Sequence, residues 1–310
     1  MKVIFLGTPE FAEVVLKEIM GSKHKVVAVV CQPDKISGRG NKLVSPNIKI
    51  FAEQNNIPCF QFNKIRLDGV DTLKSLNADI MVTAAYGQIL SQEIIDICPH
   101  KIINVHGSLL PKYRGASPIQ YAILNGEKTT GITIMETEAG IDCGDILLQQ
   151  NVDIDDEDTY GTLSDKLALI GGKLVVKALD LIEEGTITRL KQDETLATFT
   201  KMIKKDSEIL SFDDTAANIV NKIRAYNPNP VAKMLINGEP FKVYSACKAT
   251  GDYDAKVGEV VVSSPKQGLV IKCKEDAIEI KELQAPASKR MLAKSYLNGK
   301  KIEVGTIVNG

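Results

Sequence analysis

Uninterrupted runs of β-branched and aliphatic residues, alternating with helix-period segments, dominate the first 185 residues of this 310-residue chain. KVIFL (2–6), HKVVAVVC (24–31), DIMVTAA (79–85) and KIINVHG (101–107) lack strict polar alternation. Strands of that kind are buried on both faces, the habit of a parallel sheet. Between them, PEFAEVVLKEIMGS (9–22), NIKIFAEQNN (47–56) and LDGVDTLKSLN (67–77) place apolar residues at helical spacing. In the first of these Thr8 stands at the cap position and Pro9 at the first helical position. TGITIMET (130–137) and DILLQQNVDI (145–154) add two strands, and residues 159–185 read as one long helix ending near Gly185. The alternation predicts an α/β fold: an open, mostly parallel, doubly wound, Rossmann-like sheet with helices on both faces.

After this the pattern changes. Residues 186–208 are polar and carry charges of both signs, then TAANIVNKIRAY (215–226) forms one amphipathic helix stopped by NPNP. Five short strands follow, AKMLING, EPFKVYSA, KVGEVVVSS, GLVIKCKE and AIEIKELQ, whose spacing predicts a small closed or half-closed, OB-like β-barrel. The expected division is a first domain over 1–188, a linker over 189–205 and the barrel over 206–310. Residues 1–200 carry 20 Lys+Arg against 26 Asp+Glu, whereas 201–310 carry 18 against 13. An acidic module joined to a basic one suits a polyanionic partner for the second part, although ordinary surface variation accounts for the difference equally well. No stretch reaches the roughly 18 apolar residues of a membrane span, and Gly7–Thr8–Pro9 interrupts the N-terminal apolar run, so a cytoplasmic chain with no membrane partner is expected. The six cysteines include no C-x-x-C pair and most lie in apolar runs, which favours free thiols over a zinc or disulfide framework.

Three segments carry chemistry. In IINVHGSLLP (102–111), Asn104 and His106 alternate onto one face of a strand, about 6–7 Å apart. They stand where the strand ends at Gly107, the edge at which open α/β sheets bind ligands. An amide donor beside an imidazole suits acyl transfer: one holds a developing oxyanion, the other assists it or moves a proton. A histidine closing a turn by hydrogen bonding explains the same residues. The second segment, GIDCGDIL (140–147), sets Asp142 between two glycines, where it can orient an imidazole; Asp145 competes with it on spacing. The third, QPDKISGRGNK (32–42), is a glycine-bearing basic loop that can clamp phosphates or simply be solvated, and it fits neither phosphate-loop fingerprint. GTPEF likewise lacks the glycine pattern of a nicotinamide site.

Asn104-x-His106-x-Ser108-Leu109-Leu110-Pro111-x-x-Arg114-Gly115, followed by Gly140-x-Asp142-x-Gly144, resembles the signature of the folate-dependent formyltransferases. The resemblance implies a catalytic trio of Asn104, His106 and Asp142 and a folate-contacting loop of Ser108, Leu109, Leu110 and Pro111, with Ile89 and Leu90 in the pterin pocket. It also implies 10-formyltetrahydrofolate as donor and no metal. Within the superfamily, FLGTPEF (5–11), the basic loop, IRAYNP (223–228) and QAP (284–286) with KRM (289–291) are similar to the branch that acts on methionyl-tRNA. That branch implies charged initiator tRNA as partner, Arg39 and Lys42 as its contacts, residues 1–188 as the catalytic domain, 206–310 as a tRNA-binding barrel, and a monomer as the favoured state. Asn229 and Val231 depart from the branch, which often has an aromatic residue and a glycine there. The alternatives are a formyltransferase with another amine acceptor, such as an amino-sugar nucleotide, and a tRNA-binding protein whose catalytic site has decayed.

Overall fold

A computed structural model of the chain describes residues 1–37 and 42–309. Two compact units emerge: residues 1–118, 129–153 and 164–200 form the first, and 119–128, 154–163 and 201–310 the second. In chain order the strands of the first unit are β1 (Lys2–Gly7), β2 (Lys25–Cys31), the short antiparallel pair β3 (Lys35–Ser37) and β4 (Lys42–Val44), β5 (Cys59–Gln61), β6 (Ile80–Ala84), β7 (Ile102–His106), β8 (Arg114–Gly115), β9 (Thr129–Glu136), β10 (Ile146–Asp153) and β11 (Phe199–Thr200).

Seven of these make one sheet in the order β10-β9-β7-β6-β1-β2-β5. The pairs from β5 to β7 are parallel, while β9 and β10 each run antiparallel to the preceding neighbour. From β1 the chain builds outward through β2 to β5, then returns to lay β6 and β7 on the other side. That reversal makes the gap between the carboxyl ends of β1 and β6 the topological switch point. Val3, Ile4, Phe5, Leu6, Ile80, Met81 and Val82 are fully enclosed, as unalternated parallel strands require. Helix Glu10–Met20 buries Ala12, Val15, Leu16 and Ile19, the i, i+3, i+4, i+7 stripe legible in the sequence. Helix Tyr160–Glu183 matches the expected long helix.

The residues expected to begin a linker do not run free of the first unit. Leu190 exchanges backbone hydrogen bonds with Ile146 at 2.8 and 2.9 Å, Arg114 N–H donates to the Thr198 carbonyl at 2.8 Å, and β11 pairs in parallel with β8. The reason is pairing across 44 to 85 residues, which local composition cannot register. The second unit contains helix Ala216–Tyr226, capped by Thr215 accepting from Asn218 N–H, and an antiparallel sheet. Its strands are β12 (Ala232–Ile236), β13 (Glu239–Lys248), β14 (Val260–Ser264), β15 (Gly268–Lys272), β16 (Ala277–Gln284) and β17 (Met291–Leu292), ordered β12-β13-β16-β15-β14 with β17 on β16. The ends of that path, β12 and β14, are bridged by residues 306–309: Asn309 N–H donates to the Leu235 carbonyl and Val260 N–H to that of Thr306. The sheet is thus half-closed by the C-terminal segment. Val231, where the resemblance implies a glycine, takes φ +73°, a left-handed conformation costly for a β-branched residue. Among the described residues no helix is long and apolar enough to cross a membrane.

Candidate functional site

Asn104 and His106 lie in the last three residues of β7, between β6 and β9, with Asn104 opposite Thr83 and His106 opposite Thr133. The Thr83 hydroxyl donates to Asn104 Oδ1 at 2.8 Å. A carbonyl oxygen receiving that proton leaves the Asn104 amide nitrogen as the end free to donate toward a ligand. His106 is 5% exposed, and its Nε2 lies 2.9 Å from the Tyr113 carbonyl. A carbonyl only accepts, so Nε2 carries the proton and Nδ1 is turned the other way. There it faces Asp142 Oδ2 at 3.6 Å. The same carboxylate oxygen accepts the Gly115 N–H at 2.7 Å. Asp142 takes φ +48°, a left-handed conformation open to aspartate and held here by its surroundings. The structure therefore brings Asn104, His106 and Asp142 to one edge of the sheet. Asp145, the competitor on spacing, gives its carbonyl to Glu136 N–H at the entry to β10.

The segment after β7 is tightly fastened. Ser108 is fully enclosed and donates its hydroxyl to the Lys112 carbonyl at 2.6 Å, so that proton serves the loop itself. Leu110 N–H donates to Thr133 Oγ1 at 3.1 Å, and Gln149 Nε2 donates to the Leu110 carbonyl at 2.8 Å. Leu110 packs with Met135 and Ile146, while Leu109 and Pro111 are half-buried. Leu109 lies against Gly131, where an added Cβ would meet its Cδ2 at 2.5 Å, so glycine is what lets this loop sit close on β9. Ile89 is 76% exposed and Leu90 packs against the core behind it.

Between the Thr8–Glu10 turn, residues 32–35 and residues 44–47 lies a cavity of about 390 Å³ at the carboxyl edge of β1 and β2. Its wall is rigid. Gln32 N–H donates to Thr8 Oγ1 at 3.1 Å, and Gln32 Nε2 to the Tyr86 carbonyl at 2.8 Å. Asp34 accepts from Gln61 at 2.7 Å and Lys49 at 2.9 Å, and these bonds hold its carboxyl below the usual carboxylate range. Lys42 begins β4 opposite Ser37, and Arg39 lies outside the described residues. Another cavity, of about 800 Å³, belongs to the second unit and is lined by Lys128, Arg224, Tyr244 and Arg290 among others. In the first unit His24, Asp180 and Glu183 present ligand atoms within 4.8 Å of one another, but both carboxylates already pair with the Lys23 ammonium.

Sequence reasoning passed over two groups that hold this site, Thr83 and Gln192. Thr83 had a signal, since it is the lone hydroxyl in a strand otherwise buried on both faces. Gln192, which donates to the Asp142 and Gly144 carbonyls, had none, because it stands in a polar stretch and its partners lie 50 and 48 residues away.

A doubly wound sheet with this edge, and a match to the Formyl transferase family over residues 1–179 and to the Formyl transferase C-terminal domain over 202–301, defines a formyl transferase. A methionyl-tRNA formyltransferase of Acetivibrio thermocellus is 41% identical over 99% of both chains, and one of Sulfurihydrogenibium sp. is 42% identical over 98% of this chain and 99% of its own. The chain belongs to the family of methionyl-tRNA formyltransferases. In fold it is also similar to WlaRD, a sugar 3N-formyl transferase, with TM-score 0.69, 22% identity and 93% and 99% of the two chains covered. HypX from Aquifex aeolicus, solved in complex with tetrahydrofolic acid, matches with TM-score 0.66 and 15% identity, over 98% of this chain and 50% of its own.

Proposed function

We propose that this protein transfers the formyl group of 10-formyltetrahydrofolate to the amino group of methionine carried on initiator tRNA, in the cytoplasm, for translation initiation. The observation that carries this reading is the 41% identity to a methionyl-tRNA formyltransferase across essentially the full length of both chains. The site's geometry supports it. The methionine amine attacks the formyl carbon while the Asn104 amide N–H meets the negative charge that develops on the formyl oxygen, and the His106 imidazole, its Nδ1 turned to Asp142, assists by moving a proton. The C–N bond to the folate then breaks, the folate nitrogen gains a proton and the new amide loses one. Asp142, fixed by the Gly115 N–H, faces the imidazole edge through which that proton can move. Exposed Ile89 and half-buried Leu109 and Pro111 offer apolar surface to a flat heterocycle, and 10-formyltetrahydrofolate is bound there as a substrate.

The charged tRNA end approaches from the side of the 390 Å³ cavity, whose rim carries Lys35 and leads into the basic loop. The barrel over residues 206–310, with its basic balance, supplies phosphate contacts. Transfer of labelled formyl from the folate donor to charged initiator tRNA, compared with free methionine and with amino-sugar nucleotides, tests the assignment. Preference for a sugar nucleotide would replace the acceptor.

Two variants probe the proposed roles. Thr83→Val removes the hydroxyl that orients the Asn104 amide while keeping the shape of the side chain. Losing one such hydrogen bond costs about 1 kcal/mol, so kcat should fall several-fold to roughly tenfold with the donor KM unchanged, and Thr83→Ser should restore it. A Thr83→Val enzyme with parental kcat removes Thr83 from the site. Arg39→Ala should lower kcat/KM for charged tRNA, partly in turnover, and leave folate affinity unaltered. Steady-state kinetics over a salt series measure this, and parental behaviour at every salt concentration would reduce the loop to a solvated connection.

A further inference from the structure

We infer that Gln192 is a positioning residue for the formyl-transfer site, clamping both the Asp142 loop and the segment that holds His106; this rests on the functional reading above. Gln192 stands in the polar stretch after helix Tyr160–Glu183, yet every polar atom of its amide is committed. Its Oε1 accepts from Arg114 Nε at 3.0 Å and from a second guanidinium nitrogen at 2.8 Å. Arginine only donates, so the oxygen end of the amide is assigned by its partner. Nε2 then points the opposite way and donates to the Asp142 carbonyl at 2.9 Å and the Gly144 carbonyl at 2.8 Å. Those carbonyls flank the turn in which Asp142 is held at φ +48°. A non-glycine residue keeps that conformation only when its surroundings over-determine it, and two hydrogen bonds from one rigid amide do so.

The other end of the clamp reaches the imidazole. Arg114 is 2% exposed, and its guanidinium is shared between Gln192 and Glu194, at 2.7 and 2.8 Å to the latter. Its chain neighbours make the two contacts that define the site: the Tyr113 carbonyl takes the His106 proton, and the Gly115 N–H holds the Asp142 carboxylate. A single side chain therefore ties the Asp142 loop backbone to the guanidinium of Arg114, whose chain neighbours contact His106 and Asp142 across their 3.6 Å gap. Glu194, whose side chain is 68% exposed, bonds the arginine, whereas the glutamine reaches both the arginine and the Asp142 loop.

The test compares Gln192→Glu with the parental full-length enzyme, using labelled 10-formyltetrahydrofolate and charged initiator tRNA. Glutamate keeps an oxygen for Arg114 but turns a second oxygen toward two carbonyls, breaking only the Asp142 side of the clamp. The expected result is a fall in kcat of about 100-fold, the scale of a roughly 1 Å misplacement, with the donor KM close to parental. Should the glutamate variant fail to fold, Gln192→Met, similar in shape and without a repelling oxygen, carries the same expectation. Parental kcat in either folded variant overturns the inference, as does a loss confined to KM. Parental transfer to a different amine would overturn only the acceptor assignment, and the variant-to-parent ratio is then read with that amine.

Discussion

Asn104→Ala is expected to lower kcat by roughly 100- to 1000-fold, because it removes a preorganised donor aimed at developing negative charge, a loss worth about 2.7–4 kcal/mol of barrier. The fold should survive, since Asn104 is half-buried and its strand is held by β6 and β9 on either side. His106→Ala and Asp142→Asn should be as severe for different reasons. The first removes the imidazole whose Nε2 is tied to the Tyr113 carbonyl. The second keeps the Gly115 N–H contact, through an amide oxygen, while deleting the charge that faces Nδ1 at 3.6 Å. Single-turnover formyl transfer with enzyme in excess separates chemistry from product release. A correctly folded variant with near-parental turnover would strip that residue of its proposed role.

The second large effect concerns a glycine. A Cβ added at Gly144 would lie 1.9 Å from the Glu136 carbonyl oxygen, a backbone atom of β9 that cannot rotate away. Gly144→Ala must therefore push the Asp142 loop off the sheet by roughly 1 Å or more, and a displacement of that size near the chemistry costs about 100-fold in rate. Overpacking of this kind also destabilises by about 1–3 kcal/mol. Both a lower melting temperature and a collapsed kcat should appear in Gly144→Ala. Gly299→Ala is the control, because its Cβ would meet nothing within 4 Å. Equal behaviour of the two variants would show that the loop tolerates the shift.

These effects depend on neighbours that lie far apart in the chain, and that is where the sequence reading and the structure part company. The parallel strands were legible because burial on both faces leaves an unalternated apolar run, and β1, β2, β6 and β7 fall within those runs. The paired strands Lys35–Ser37 and Lys42–Val44 have no signature in the sequence, because three-residue strands carry too few side chains to show a period. The barrel strands were legible by spacing and turn residues. Which of the two expected closures they take was not, since the bridge between β12 and β14 comes from residues 306–309 at the far end of the unit.

Of the site, the sequence by itself marked the candidate groups. Asn104 and His106 share a strand face by the two-residue period, and their place at a strand end before Gly107 is local information. It also marked Asp142 through its glycine-bounded turn, though not which of Asp142 and Asp145 meets the histidine. The tertiary structure decided that choice, bringing the Asp142 carboxylate to 3.6 Å from Nδ1 and turning Asp145 into a backbone partner of β9. It alone showed that the stretch after residue 188 is stitched to the site through Leu190, Gln192, Glu194 and Thr198. The physical reason is the range of the interactions. Strand faces, caps and turns are set by residues a few positions apart, whereas the Gln192 amide meets partners 48, 50 and 78 residues away, a pairing that exists only once the sheet has formed.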